Sequence, residues 1–336
     1  MKRREFIMLI GGIAAWPRVA HAQPQALPTI GFLSARSPDE SAPLVDAFRR
    51  GLAETGAIEG RNVAVEYRSA LGEYDRLPVL AAELVRRPVS ALVSVGGEPS
   101  AMAAKAATAT IPIVSLFTDD PVERGLVASL NRPGGNVTGI SLMNGALEAK
   151  RLGLLHELVP KAATLGFLLN PSYPGAASQL RDMQEAARTI GLQLHVLNAG
   201  TDPEIDTAFD AFARNSIPAL VVAVDPFFVT CRDKLVAAAT RHALPTMYSL
   251  REFAASGGLI SYGVDLSDMY RQAGYAGRIL KGIKPADLPV IQPTKIRVGH
   301  KSEDGQIAWS HTLVRIAFDR RRGDRIGGAS FRYWPI

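Results

Sequence analysis

Thr118-Asp-Asp-Pro-Val-Glu-Arg-Gly-Leu-Val-Ala-Ser-Leu-Asn-Arg-Pro-Gly-Gly-Asn-Val-Thr-Gly139 is the stretch on which the reading of this chain turns. It follows an apolar run, Ile111 to Phe117, of the length and composition of a buried strand. Acidic and turn residues gather at its start, and Arg132-Pro133-Gly134-Gly135-Asn136 breaks the chain near its end. A second series of strand and helix signals begins beyond it. This is the pattern of a hinge between two α/β lobes with a cleft between them.

Working back from that stretch, the first lobe alternates strand and helix. Thr29 to Ser34, Asn62 to Tyr67 and Ala91 to Val95 read as strands. Between them, Ala42 to Thr55 repeats Leu44, Val45, Phe48 and Leu52 at helical spacing, and Gly56 suits the C-terminal cap. Asp75 to Arg87 and the alanine-rich Ser100 to Thr108 are the next helices. Such alternation demands crossover connections, so the sheet is expected to be mainly parallel and covered on both faces.

Working forward, the second lobe repeats the organisation without repeating the sequence. Ala146 to Leu158 is expected as a helix stopped by Pro160, and Thr164 to Leu169 as a strand. Helix follows over Gln179 to Ile190 and strand over Gln193 to Asn198; Asp202-Pro203-Glu204 opens another helix. Ala219 to Val224 is a buried strand, Arg232 to His242 a helix, and Pro245 to Tyr248 a strand. Gly257 to Gly263 and one helix from Asp265 to Leu280 complete the series.

Asn131-Arg132-Pro133-Gly134-Gly135-Asn136-Val137-Thr138-Gly139-Ile140 resembles the signature of the substrate-binding proteins of a family of ABC transporters, often associated with aromatic amino acids. Lys284-Pro-Ala-Asp-Leu-Pro-Val-Ile-Gln-Pro-Thr-Lys295 matches the lead into that family's last strand, so the resemblance covers about residues 28–295. It implies the type I periplasmic-binding-protein fold: two Rossmann-like lobes, mainly parallel sheets, and a ligand cleft at the hinge. It also implies lobes over residues 28–138 with 262–290 and over 139–261, because the segment after Gly257 returns to the first lobe. The implied function is capture of a small amino-acid-like ligand, aromatic or branched, for a membrane permease and its ATPase.

Residues 1–22 read as an export signal: Lys2, Arg3 and Arg4, an apolar run from Phe6 to Trp16, and Ala20-His21-Ala22 before Gln23. The run is too short to span a bilayer comfortably. Arg3-Arg4 followed by Phe6 resembles a twin-arginine signal, so a periplasmic, non-membrane-spanning protein is expected. The net charge of +6 sits at the ends, +3 in residues 1–22 and +4 in residues 296–336, which leaves −1 for the body. A nucleic-acid partner is therefore not expected. Cys231 stands alone, which excludes a disulfide within the chain.

No His-Glu-x-x-His, Cys-x-x-Cys or Gly-x-Ser-x-Gly occurs, and Gly96-Gly97-Glu98-Pro99-Ser100 lacks the third glycine of a dinucleotide loop. No cofactor and no metal are expected. His156, His195 and His242 fall on patterns that suit packing or a helix end, not general base work. A secreted α/β enzyme using the acids at the strand ends is the competing reading, weaker for want of a catalytic constellation. For a ligand cleft, the loops after parallel strands supply the candidates. Ser34, Gly97 and Ser100 suit a ligand carboxylate at a helix start. Asp119 or Asp225 suits its ammonium. Tyr173, Phe227, Tyr248 and Tyr262 could form an aromatic wall, with Thr118 and Asn170 at strand ends beside them.

The tail, residues 296–336, departs from the resembled family. That family continues with a strand and a helix, roughly Phe-Glu-Leu-Val-Ile-Asn-Leu-Lys-Thr-Ala-Lys. A permitted back-translation of Val298 to Thr312, read one base later, gives Leu-Val-Ile-Asn-Leu-Lys-Thr-Ala-Lys. The tail is expected to be aberrant, the product of a frameshift near Lys295, and to leave the second lobe short of its last strand.

Overall fold

The first apolar run forms β1 (Thr29–Ser34), and Ser37 then leads into α1 (Pro38–Glu54), which has proline in its first turn. β2 (Ala64–Ser69), α2 (Leu77–Val85), β3 (Val89–Val95), α3 (Glu98–Ala107), β4 (Ile113–Phe117) and β5 (Val137–Ser141) follow. This is a computed structural model, and it describes residues 27–142, 144–293 and the strands Ile296–Lys301, Ile307–Ser310, Ala317–Phe318 and Phe331–Arg332. The expected export signal lies outside the described residues. The five strands form one parallel sheet in the order β2-β1-β3-β4-β5.

The second lobe runs α4 (Asn144–Leu158), β6 (Thr164–Leu169), α5 (Ala176–Thr189), β7 (Gln193–Asn198), α6 (Asp202–Arg214) and β8 (Leu220–Val222). Then come α7 (Pro226–Thr230), α8 (Arg232–Arg241), β9 (Thr246–Tyr248), α9 (Arg251–Ala255) and β10 (Ile260–Val264). Strands β7-β6-β8-β9-β10 are parallel, in the same doubly wound order as the first lobe. Ligands of such sheets bind beyond the carboxyl ends of the strands, and here both sets of strand ends meet at the lobe boundary.

Three differences from the sequence reading matter. The stretch 118–136 is not itself the hinge. It is a loop of the first lobe, because Val137–Ser141 pairs in parallel with β4 as a fifth strand. The crossing to the second lobe follows Leu142, and Tyr262 lies inside β10 of the second sheet, so both lobe boundaries fall a few residues beyond those expected.

The expected helix from Asp265 to Leu280 is broken into α10 (Leu266–Ala273) and α11 (Ala276–Ile279) at Gly274. There α10 is pressed onto α1: a Cβ on Gly51 would lie 1.7 Å from the carbonyl oxygen of Arg271, and one on Gly274 would lie 2.2 Å from Gly51 C. Only hydrogen fits between these backbones, which fixes α10 to the first lobe.

Finally, the second lobe is not short of a strand. β11 (Ile296–Lys301) pairs antiparallel with β10, and β12 (Ile307–Ser310) with β11. Main-chain pairing along an open sheet edge depends little on side-chain identity. Before that crossing, Ile291 joins the first sheet: Ser141 N–H donates to its carbonyl at 2.9 Å, and its own N–H donates to Gly139 O at 2.9 Å.

Candidate ligand-binding site

The sequence places Arg36 two residues after β1, and local hydrogen bonding aims it. Ser34 Oγ accepts from Arg36 N–H at 3.1 Å, and Ser69 Oγ donates to the Arg36 carbonyl. The loop is thus tied at both ends of β1 and β2, and the guanidinium enters the lobe boundary, where Arg36 is 7% exposed. There it lines a small cavity of about 20 Å³, room for one water. Gly96, Gly97, Leu116 and Thr118 line it from the first lobe, and Val224, Asp225, Pro226, Val229 and Leu250 from the second. Leu266 and Tyr270 of α10 complete it.

Gly97 approaches so closely because it has φ +88; a Cβ there would lie 3.3 Å from both Thr118 Oγ1 and Tyr173 Oη. Across the cavity, Asp225 caps α7, its Oδ1 accepting from Phe227 N–H at 2.6 Å. Tyr74, on a short 3₁₀ turn of the first lobe, donates its hydroxyl to the same Oδ1. Burial raises the Asp225 carboxyl to about 6, partly offset by the Tyr74 hydroxyl; burial and the Asp225 charge in turn push the Tyr74 phenol well up.

On the cavity-lining residues, buried Arg36 Nε and Tyr270 Oη have no hydrogen-bond partner, and Asp225 Oδ2 has none of full geometry, although the Asn170 side chain and Phe228 N–H also pull its carboxyl down. Buried polar groups are nearly always satisfied, and an orphan costs about 1–3 kcal/mol. A cation, an anion and a hydroxyl thus border one cavity. Apart from Thr118 and the two glycines, the rest of the lining is aliphatic. A larger but open recess around Pro160, Thr164, His195 and Asn215 takes residues from the second lobe alone, so filling it cannot couple to lobe closure.

A second interlobe cluster adjoins this cavity through Thr118. Glu98, fully buried in the first turn of α3, accepts at Oε1 from Thr118 N–H at 2.8 Å and Asp119 N–H at 2.6 Å. Its Oε2 meets the hydroxyls of Thr118 and, at 2.5 Å, Tyr173 of the second lobe. Asp119 accepts from Arg124 at 2.7 Å and from Ser178 of the second lobe at 3.1 Å. Tyr173 and Tyr74 meet edge to face, ring centroids 6.2 Å apart. Each lobe therefore offers a tyrosine to a buried carboxyl of the other.

Of the residues chosen from the sequence, Gly97, Thr118 and Asp225 line the cavity. Ser34 instead orients Arg36, and Ser100 is buried with its hydroxyl unpartnered outside the cavity lining. Asp119 is engaged by Arg124 and Ser178, while Asn170 is buried, its Oδ1 accepting from Ser172 N–H at 3.0 Å. None of the four residues expected as an aromatic wall lines this cavity. Tyr173 serves through its hydroxyl, Tyr248 stacks on Phe253 at 4.6 Å, the Tyr262 carbonyl accepts from Arg151, and Phe227 lies outside the cavity lining. Arg36 and Tyr270 were missed, although Arg36 stands in the loop after the first strand, where the ligand rule for parallel sheets directs attention.

Two α/β lobes that enclose a cavity with residues from both are the architecture of a solute-binding protein. The chain belongs to the family described as ABC transporter substrate binding protein, whose sequence pattern matches residues 32–298. It is 29% identical over 244 residues to a tyrosine-binding protein of Clostridioides difficile strain R20291, covering 72% of this chain and 70% of that one. The solved structure of an ABC domain in complex with L-Trp from Streptococcus pneumonia superposes with a TM-score of 0.73 at 25% identity, covering 81% of this chain and 91% of that chain. A 174-residue stretch is 31% identical to a Mycobacterium ulcerans (strain Agy99) protein named ornithine carbamoyltransferase, over 46% of this chain and 53% of that one. A match across about half of each chain carries no activity over. The chain is a substrate-binding protein of an ABC transporter and not an enzyme, with a small-molecule ligand and a transporter permease as partners. Such proteins work outside the cytoplasmic membrane, and among the described residues no helix is long and apolar enough to cross one.

Proposed function

We propose that the protein captures a free amino acid between its lobes in the periplasm and delivers it, by closure and release, to a permease driven by its ATPase. The single observation that carries this reading is the set of buried polar groups on residues around the interlobe cavity, Arg36 Nε, Asp225 Oδ2 and Tyr270 Oη. Arg36 and the backbone N–H groups of Gly96 and Gly97 take the carboxylate, and Asp225 takes the ammonium. The ligands named for the tyrosine-binding and tryptophan-bound relatives support an amino acid. The lining of Leu116, Leu142, Val229, Leu250 and Leu266 favours a ligand with an apolar side chain.

A cavity of about 20 Å³ cannot admit an amino acid, so the lobes must part before one enters. Closure then draws on ligand contacts to both lobes. Export follows the amino-terminal signal, with Arg3-Arg4 supporting the twin-arginine route. Thermal-shift screening of the twenty standard L-amino acids tests the proposal. A saturable rise in melting temperature for one or a few apolar members, with the ligand recovered unchanged, is expected; no rise with any of them would refute it.

A further inference from the structure

The contacts that close the lobes also contain a proton-counting problem. Three oxygens, Glu98 Oε2, Thr118 Oγ1 and Tyr173 Oη, form a triangle in which every pair is within hydrogen-bond distance, with Thr118 Oγ1 and Tyr173 Oη 2.5 Å apart. Three such contacts need three protons. The two hydroxyls bring one each, so an ionised Glu98 leaves one edge with lone pairs facing each other. A proton on Oε2 completes the ring: Glu98 donates to Thr118, Thr118 to Tyr173, and Tyr173 back to Glu98. The other carboxyl oxygen stays an acceptor for the N–H groups of Thr118 and Asp119.

We propose that Glu98 is a positioning residue for lobe closure, carrying a proton in the closed form and sharing it with Thr118 and Tyr173 across the lobe boundary. The surrounding charges agree. Glu98 is fully buried, and the charge that raises it is Asp119, itself held by Arg124 at 2.7 Å and by Ser178; Arg124 also feels Glu98. Asp182 on α5 stands behind Asp119 and adds negative charge, and the Tyr173 phenol is itself held neutral by burial and by Glu98. Burial, then Asp119, raise the Glu98 carboxyl to about 7, against the opposing pull of the Tyr173 hydroxyl. When the lobes part, Tyr173 leaves with the second lobe, water reaches Glu98, and its carboxyl falls towards the ordinary range near 4.3. The proton passes to solvent on opening and returns from it on closing.

The sign follows from linkage. A carboxyl whose closed-state value is raised favours closure fully below its open-state value, and the advantage is lost as pH rises through about 7. The ratio falls between the open-state value and about 7, so the window from pH 6 to 7.5 reads Glu98, with at most about a twofold share from the second latch, Tyr74 on Asp225, whose carboxyl is raised only to about 6. The inference concerns the lobes without ligand and does not depend on which molecule is carried.

The test uses the full chain with no ligand, spin-labelled at Arg61→Cys and Arg188→Cys in a Cys231→Ser background. Both label sites are exposed, one on each lobe. Pulsed electron resonance reads the closed and open distances from pH 6 to 8.5. In the wild type the closed-to-open ratio should fall from pH 6 to about 7.5, by roughly tenfold in all for one linked proton, and stay level above that. Glu98→Gln, whose amide donates where the protonated acid does, should stay closed and show no more than the roughly twofold change that Asp225 supplies over that window. Tyr173→Phe should lower the closed fraction and flatten its slope. A wild-type ratio constant from pH 6 to 8.5, or a Glu98→Gln variant with the wild-type slope, would overturn the proposal. Should Glu98→Gln lose its circular dichroism spectrum, Tyr173→Phe decides: an unaltered ratio and slope also overturn it.

Discussion

At the scale of single residues, Arg36 and Asp225 carry the account. Replacing Asp225 with Asn keeps the shape but removes the charge that faces a ligand ammonium; the expected loss is about 2–3 kcal/mol, roughly 30- to 150-fold in affinity. Arg36→Ala should weaken carboxylate binding to a similar degree, and isothermal titration of the amino acid found by thermal shift measures both. Asp225 must be ionised to hold an ammonium, so affinity should fall as pH drops through about 6. Part of this site was legible. Asp225, Gly97 and Thr118 follow apolar runs that had to be strands, and the ends of parallel strands face the cleft. The aromatic wall was not legible, because β9 and β10 are buried on both faces and show no alternation that says which side chain looks where. Arg36 was passed over for a physical reason as well. A lone arginine in a polar loop reads as solvated, whereas here it lines a cavity shared with the second lobe.

At the scale of elements, α1 and α10 meet through bare backbone at Gly51 and Gly274. Gly51→Val places carbon inside the Arg271 carbonyl, so α10 must move away. Overpacking of this kind costs about 1–3 kcal/mol or more, and thermal denaturation should show a melting temperature lower by several degrees. A variant as stable as the wild type would mean the two helices are not in contact in solution. The long elements were readable from periodicity, whereas α7 and α9, five residues each, are too short to show a helical period. β5 was hidden because Gly135 and Gly139 made a strand look like the end of a turn.

The tail belongs to this scale too. The family match stops at residue 298, close to where the sequence departs from the resembled pattern. We propose that a one-base shift near Lys295 produced residues 296–336. Sequencing the DNA should find Leu-Val-Ile-Asn-Leu-Lys encoded one base later from Val298; any other reading there ends the idea.

At the scale of the whole molecule, the two lobes are joined by three crossings and held shut by reciprocal tyrosine–carboxyl contacts, Tyr74 to Asp225 and Tyr173 to Glu98. The exposed pair Arg181 with Glu123 at 3.7 Å adds little, because solvent screens it, while Arg232 with Glu40 at 3.4 Å is more sheltered. Solution scattering should therefore show a smaller radius of gyration on saturation with the bound amino acid at pH 8, where the free protein is more open. The general plan of two lobes was legible because apolar runs and turn residues repeat; the closed state was not, since it depends on contacts between residues such as Tyr74 and Asp225, 151 apart in sequence. The claim at the centre, that opposed charges in one interlobe cavity read both ends of an amino acid, is tested most directly by calorimetry. The amino acid found by thermal shift, its methyl ester and its N-acetyl derivative are titrated into the full chain at pH 7. Saturable one-to-one binding of the free amino acid, lost for both derivatives, is the expected result; equal binding of the ester and the N-acetyl form would contradict it.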